Sequence, residues 1–341
     1  MISVQNFEPN LDLLKRALGN SVQGFHAELI KIALGWSRVY RVTLFGQGHS
    51  TRDTVVVKTI DPHGPSTALE AERELRFYEV LHPQLSIPKP EVYFLTTDEA
   101  SGFHAIVMED LAPTHHFPTH PYQWKREELK CVLQAYACLH AQQNISLQHP
   151  WLAPRHESLL HFETIPEQVA IVQHAGIWAE VPKLEHLINY ARQSKQKYAN
   201  ENMALLHGDT TPANASFPRK LDSHPATLID WQDVGIGMPE FDLAYLDLQP
   251  FESARLIPRR ELLDLYWQFR TEIDPNIPTP EERAARQLHA DVITALWLTL
   301  PASRVALHPY PEGTYPHMHW ASQYGIVYNR LRSLAHEINS V

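Results

Sequence analysis

The sequence predicts an α+β fold: a smaller N-terminal part built on an antiparallel five-stranded sheet with one inserted helix, then a larger, mainly helical part. Three observations carry this. Residues 24–61 alternate apolar and polar positions with period two, the pattern of half-buried strands. Two more short β-rich runs follow a charged helical stretch. Beyond about residue 111 the apolar spacing changes to the three-and-four period of helices.

Residues 9–18 read as a short amphipathic helix. The first strand is Phe25-His26-Ala27-Glu28-Leu29-Ile30, which turns at Gly35 into Val39-Tyr40-Arg41-Val42-Thr43-Leu44. A hairpin loop through Gly46-Gln47-Gly48 leads to Thr54-Val55-Val56-Val57-Lys58. Ser66 to Leu81 reads as a helix with Leu69, Leu75, Phe77 and Tyr78 among its apolar positions and charges on the rest. Ile87-Pro88-Lys89-Pro90 closes that region, because proline interrupts both periods. Strands around Glu91 to Leu95 and His104 to Met108 complete the five. Helices follow at 126–143, with Leu129, Leu133, Tyr136 and Leu139 on one stripe, and at about 183–198. Short strands flank His207 and end at Asp230, and the chain from about 253 is mostly helical. The expected domains are 1–110 and 111–341, joined by a hinge at about 107–112.

Composition narrows the function. With 44% hydrophobic and 20% charged residues the chain can bury a core, and a net charge of −10 disfavours nucleic acid or an anionic membrane as partner. The start MISVQNFEPNLD lacks a signal peptide's basic residues and apolar run. The longest apolar stretch, Val292 to Leu300, is short for a bilayer, so the expected location is cytoplasmic. Cys131 and Cys138 lie seven apart on one helical face and read as two core thiols. Among the 21 histidines the obvious clusters are His115-His116 with His120, and His317 with His319. Neither has a cysteine or acid at diagnostic spacing, so they are not read as zinc sites.

Chemistry concentrates in Leu205-Leu206-His207-Gly208-Asp209-Thr210-Thr211-Pro212-Ala213-Asn214, where a short apolar strand delivers an acid into a tight polar loop. A second strand ends in an acid at Thr227-Leu228-Ile229-Asp230-Trp231-Gln232. Each motif alone is an ordinary turn or strand end. Together, in this order, they provide what phosphoryl transfer requires. One carboxylate, Asp209, can orient and deprotonate a hydroxyl; an amide oxygen and a second carboxylate, Asn214 and Asp230, can hold magnesium.

These residues resemble the aminoglycoside phosphotransferase and choline kinase superfamily, whose catalytic loop reads His-Gly-Asp, four residues, Asn. The resemblance runs over about residues 25–250 and implies a protein-kinase-like two-lobed fold, ATP and Mg2+ as cofactors, and transfer of the γ-phosphate to a small-molecule alcohol. It implies that Lys58 contacts the α- and β-phosphates and that an acid on the 66–81 helix pairs with it. Glu74 is the choice, since it precedes the bulky pair Phe77-Tyr78, and Glu72 competes. Gly35 and Ser37 would cover the phosphates, and Met108, Glu109 and Leu111 would supply the hinge that binds adenine. Ala137-Cys138-Leu139-His140 and Gly237-Met238-Pro239-Glu240-Phe241-Asp242 also resemble family segments, with His140 structural and Asp242 bracing the catalytic loop. The wording Phe77-Tyr78, Glu109-Asp110-Leu111 and Ile229-Asp230-Trp231-Gln232 resembles the ecdysteroid-kinase-like branch.

Two departures stand out. The phosphate-covering turn has one glycine rather than a series, and Thr210-Thr211 replaces the family's usual bulky pair. No long activation segment follows Asp230, which argues against a protein kinase. The rival readings are a catalytically silent kinase-like binding protein, which loss of Lys58, Asp209, Asn214 or Asp230 would have favoured, and a metal-dependent hydrolase, which leaves the Lys58 strand unexplained. Tyr266, Trp267 and Phe269 read as core. Trp297, Tyr310, Tyr315 and Trp320 divide evenly between core and acceptor pocket, and their aromatic character leans toward a partly apolar alcohol.

Overall fold

The computed structural model describes residues 8–33, 37–46, 53–61, 68–98, 102–118, 124–142, 149–152, 161–198, 203–220, 224–249, 256–308 and 315–338. The order begins α1 (Leu11–Leu18), β1 (Val22–Ala33), β2 (Ser37–Gly46), β3 (Thr54–Ile60), α2 (Ala68–Arg76), β4 (Val92–Thr97), β5 (His104–Glu109) and β6 (His115–His116). It continues with α3 (Arg126–His140), α4 (Ile165–His174), α5 (Leu184–Tyr198), β7 (Ala204–Leu206), β8 (Ala215–Pro218), β9 (Thr227–Leu228) and β10 (Gly235–Gly237). Five helices end the chain: α6 (Glu240–Asp247), α7 (Arg259–Ile273), α8 (Pro280–Trp297), α9 (Thr299–Leu307) and α10 (Tyr315–Glu337).

The chain divides into two compact units. The first is Met1–Phe117 with Ser216–Asp233; the second is Pro118–Ala215 with Val234–Val341. The first unit thus runs past the expected limit at 110 and takes in a later segment. Strand pairing is the reason: β6 and β9 flank β8 in a small sheet, with His115 opposite Pro218 and His116 opposite Phe217.

The expected five-stranded sheet is present in the first unit, in the order β1-β2-β3-β5-β4, with every neighbouring pair antiparallel. One face carries Tyr40, Val42, Leu44, Val55, Val57, Ala105 and Val107, which pack with Leu13 and Leu14 of α1. Residues one step along each strand point to the other face, and Lys58 lies there. Asn10 caps α1 by accepting a hydrogen bond from the Leu13 N–H at 2.9 Å. Gly46 closes β2 where only glycine fits, since a Cβ there would lie 1.9 Å from the Ser21 carbonyl oxygen.

The expected 66–81 helix is α2 followed by one π-helical turn, Phe77–Leu81. The wider turn buries both Phe77 and Tyr78, which an uninterrupted α-helix would place 100° apart. Leu69, expected on the apolar stripe, is 73% exposed instead. The buried face of the helix is carried by Ala71, Glu74 and the aromatic pair.

In the second unit α8 is the central helix. Val292, Ile293, Ala295 and Leu296 pack in one core with residues of α4, α5, α6 and α10. Thr279-Pro280-Glu281-Glu282 starts α8 with a capping box: the Thr279 hydroxyl accepts from the Glu282 N–H at 3.3 Å, and the Glu282 carboxylate accepts from the Thr279 N–H at 2.7 Å. The run Pro280–Leu307 is by length and composition apolar enough to cross a membrane, a wider span than Val292 to Leu300; 61% of its apolar window is buried inside the protein. Helix α4, unexpected from the sequence, packs on α9.

Two buried histidines give a pH expectation. Burial, reinforced by Lys89, lowers His82 to about 4, and burial, reinforced by Lys197, lowers His289 to about 4. Between pH 6.5 and 4 the unfolded chain therefore binds more protons at these sites than the folded one, so stability falls as pH falls. Urea midpoints measured from pH 7.5 to 5 should decrease below pH 6.5, and less steeply in His289→Gln.

Candidate active site

In the first unit, Lys58 on β3 is the centre of a buried charge cluster. Its Nζ donates to Glu74 Oε1 at 2.7 Å and to Asp230 Oδ1 at 2.7 Å. Burial lowers the Lys58 pKa, but Asp230 and Glu74 outweigh it and raise the ammonium above its ordinary value. Burial raises Asp230, yet Lys58 and Lys31 together hold its carboxyl well below the usual carboxylate range. Glu74 is pushed up by burial against the pull of Lys58. Glu74 is the acid that reaches Lys58, and Glu72 lies on the exposed side of α2.

Packing fixes this cluster. Trp231, next to Asp230, stacks on Phe77 with ring centroids 4.2 Å apart and planes 14° from parallel. Arg73 donates to the Gln232 carbonyl at 3.3 Å. The helix that carries Glu74 and the segment that carries Asp230 are thereby tied together. Asp230 itself has φ 67°, a left-handed conformation that Asp tolerates better than most residues. Backbone strain held by surrounding packing is a recurrent feature of functional sites.

Ser37, the first residue of β2, is buried, and its hydroxyl has no hydrogen-bond partner among the described residues. Gly35 lies outside the described residues. Met108 and Leu111 are buried at the end of β5. The Glu109 N–H donates to the Glu91 carbonyl at 2.8 Å, and the Leu111 carbonyl accepts from the His115 N–H at 2.7 Å. Asp110, between them, was given no role by sequence reasoning. It accepts from Arg41 Nε at 2.9 Å, from the Thr54 hydroxyl at 2.8 Å and from the Ala112 N–H at 3.0 Å. The expected hinge is thus pinned to β2 and β3.

In the second unit, the loop after β7 holds Asp209 and Asn214. Asn214 Nδ2 donates to the Asp209 carbonyl at 3.0 Å and to Asp209 Oδ2 at 2.8 Å. Asp242 of α6 braces this loop from beneath. Its carboxylate accepts the His207 N–H at 2.8 Å and the Gly208 N–H at 3.0 Å, and its carbonyl accepts the Thr210 hydroxyl at 3.1 Å. Gly208 has φ 82°, a turn that glycine makes without strain. Thr210 of the unusual Thr pair is therefore a buried brace.

His140 completes the support. Burial lowers its pKa against the opposing pull of Asp242, so the imidazole is neutral. Asp242 is raised by burial, but its hydrogen bonds and the neighbouring imidazoles lower it overall, so it is an acceptor only. The tautomer follows: His140 Nε2 donates to Asp242 at 3.1 Å, and Nδ1 accepts from the Tyr266 hydroxyl at 2.8 Å. Asp242→Ala would strand two backbone N–H groups and the imidazole in a buried setting. Each stranded buried donor should cost about 1–3 kcal/mol of stability, and the thermal midpoint should fall accordingly.

Among the described residues no group of three or more His, Cys, Asp or Glu could hold a metal by itself. Magnesium characteristically takes one or two carboxylates plus substrate phosphates, and Asp230 and the Asn214 amide oxygen are oxygen donors of that kind. Trp297 is partly buried against the second unit's core and meets Tyr245 edge to face. Tyr310 is outside the described residues, as are the side chains of Tyr315 and Trp320.

The model of the phosphotransferase enzyme family matches residues 28–268. No curated protein matches the sequence. Among solved structures, a candidate aminoglycoside phosphotransferase from Ralstonia eutropha JMP134 aligns over 96% of this chain and 98% of its own, with TM-score 0.64 and 15% identity. An amicoumacin kinase in complex with AMP-PNP, Ca2+ and Ami aligns over 97% and 94%, with TM-score 0.59 and 14% identity. Choline kinase from Streptococcus pneumoniae aligns over 94% and 97%, with TM-score 0.54 and 18% identity. At these identities the likeness establishes the protein-kinase-like fold.

Proposed function

Since the chain belongs to the phosphotransferase enzyme family, we propose that it is an ATP- and Mg2+-dependent kinase that moves the γ-phosphate onto a hydroxyl of a small molecule. The observation that carries the reading is the Lys58 ammonium fixed by buried Glu74 beside Asp230. That arrangement presents a preorganised cation to phosphate oxygens without reorganisation at the moment of transfer. Lys58 positions the α- and β-phosphates, and the Ser37 hydroxyl supplies a donor to them. Asn214 and Asp230 hold magnesium, which neutralises charge on the phosphate oxygens when bound. The backbone at Met108, Glu109 and Leu111 receives adenine.

Asp209 orients the acceptor hydroxyl and takes its proton. The acceptor oxygen forms the new bond to the γ-phosphorus as the bond to the ADP oxygen breaks. Asn214 fixes the Asp209 carboxylate through Oδ2, and Asp242 fixes the loop. The aromatic residues toward the C-terminus favour a partly apolar alcohol as the acceptor.

The reading is tested by magnesium-dependent ADP release against hydroxyl compounds: aminoglycosides, choline, macrolides, sterols, sugars and nucleosides. Release with one class, absent in Asp209→Ala, is the expected result. A protein that binds no nucleotide in the presence of magnesium would overturn it.

A further inference from the structure

Lys58 is not alone on Asp230. Lys31 of β1 reaches the other carboxylate oxygen, Nζ to Oδ2, at 3.1 Å. An exposed Lys–Asp pair is ordinarily a weak surface contact, and the Lys31 side chain is 46% exposed. Three observations set this pair apart. Lys31 lies opposite Val39, and Val39 lies opposite Lys58, so the two lysines occupy one cross-strand row. Directly opposed residues project to the same face of a sheet, and both ammonium groups converge on one carboxylate. Ser37, two residues before Val39 and therefore on that face, has a buried hydroxyl with no partner among the described residues. Two cations and a free hydroxyl donor on one face form an anion-binding surface, and a single carboxylate occupies both cations.

The charge balance makes the arrangement conditional. Lys31 and Lys58 are offset by Glu74 and Asp230. A divalent cation taken up by Asp230 alone would face two ammonium groups at close range, which is repulsive. Entry of a polyphosphate with the cation removes that penalty, because its oxygens can pair with the ammonium group that Asp230 gives up.

We propose that Lys31 is a second phosphate-binding cation of the nucleotide site, held on Asp230 while that carboxylate is free of metal and paired with nucleotide phosphate oxygens once the carboxylate takes up Mg2+. The inference rests on the kinase reading above. It makes magnesium and nucleotide uptake mutually dependent, with Lys31 as the group exchanged between them.

The test is equilibrium binding of ATP, ADP and adenosine to the full-length protein, with magnesium, for wild type, Lys31→Gln and Lys31→Arg. Lys31→Gln should weaken ATP about tenfold, the size of one charge-assisted contact, and leave adenosine unchanged. Lys31→Arg should retain most of the ATP affinity. In an Asp230→Asn background Lys31→Gln should still weaken ATP. Equal or tighter ATP binding by Lys31→Gln would make Lys31 a mere tether of Asp230 and overturn the inference alone. So would loss of the Lys31 effect in the Asp230→Asn background, or equal weakening of adenosine. Absence of nucleotide binding by the wild type would overturn the kinase reading and this inference together.

Discussion

Asp209→Ala lowers turnover by about 100- to 10,000-fold, the range that a positioned general base supplies, while nucleotide affinity stays within about twofold of wild type because the phosphate contacts proposed above do not include it. The structure gives a reason to expect a folded variant. The loop around Asp209 is held through backbone groups: the His207 and Gly208 N–H groups on Asp242, and the Asp209 carbonyl on Asn214. Truncation removes the hydrogen bond from Asn214 Nδ2 to Asp209 Oδ2, a contact worth about 1 kcal/mol. Single-turnover assays with the responding acceptor, beside nucleotide titrations and thermal melts, separate the three quantities. Wild-type turnover in Asp209→Ala would remove Asp209 from the chemistry. A large fall in stability with proportional loss of activity would make its role structural.

The sequence disclosed what is local. The alternation over 24–61 specifies strands, and the five-stranded sheet followed because antiparallel neighbours need only short connections. Lys58 and Asp230 each end a short apolar strand and were legible for that reason; Glu74 lies among charged residues and was singled out only through the family resemblance. Contacts set by strand register were not legible. Lys31 meets Asp230 across 199 residues of chain, and a lone lysine in a strand carries no signal until its row with Val39 and Lys58 is known. Asp110 was hidden for the same reason, since Arg41 and Thr54 reach it from two other strands. Leu69 misled because helical periodicity marks a stripe without saying which stripe is covered; the charged residue Glu74, not Leu69, is the buried one. The first unit is discontinuous because residues 216–233 pair with β6 and carry Asp230 to Lys58. A reading that moves linearly along the chain cannot see that return.

Asp230→Ala should abolish the magnesium dependence of nucleotide binding and reduce affinity for Mg·ATP by at least about tenfold, the loss of one metal-linked contact. The direction follows from charge. In the wild type Asp230 offsets two ammonium groups, so any metal it takes up must arrive with phosphate. Without the carboxylate, Lys31 and Lys58 are freed, and metal-free ATP should bind as tightly as or more tightly than in wild type. The variant therefore loses the preference: wild type favours Mg·ATP over ATP in chelator, and Asp230→Ala does not. Relief of the left-handed backbone at position 230 is not expected, because Ala tolerates φ 67° less well than Asp. The thermal midpoint should fall slightly through strain and through the loss of a partner for buried Lys58. Titration of ATP with magnesium and with chelator, in both proteins, decides the matter. An unchanged magnesium dependence in Asp230→Ala would move the metal role to another residue, and weaker binding of metal-free ATP would show that the carboxylate orders the lysines rather than competing for them.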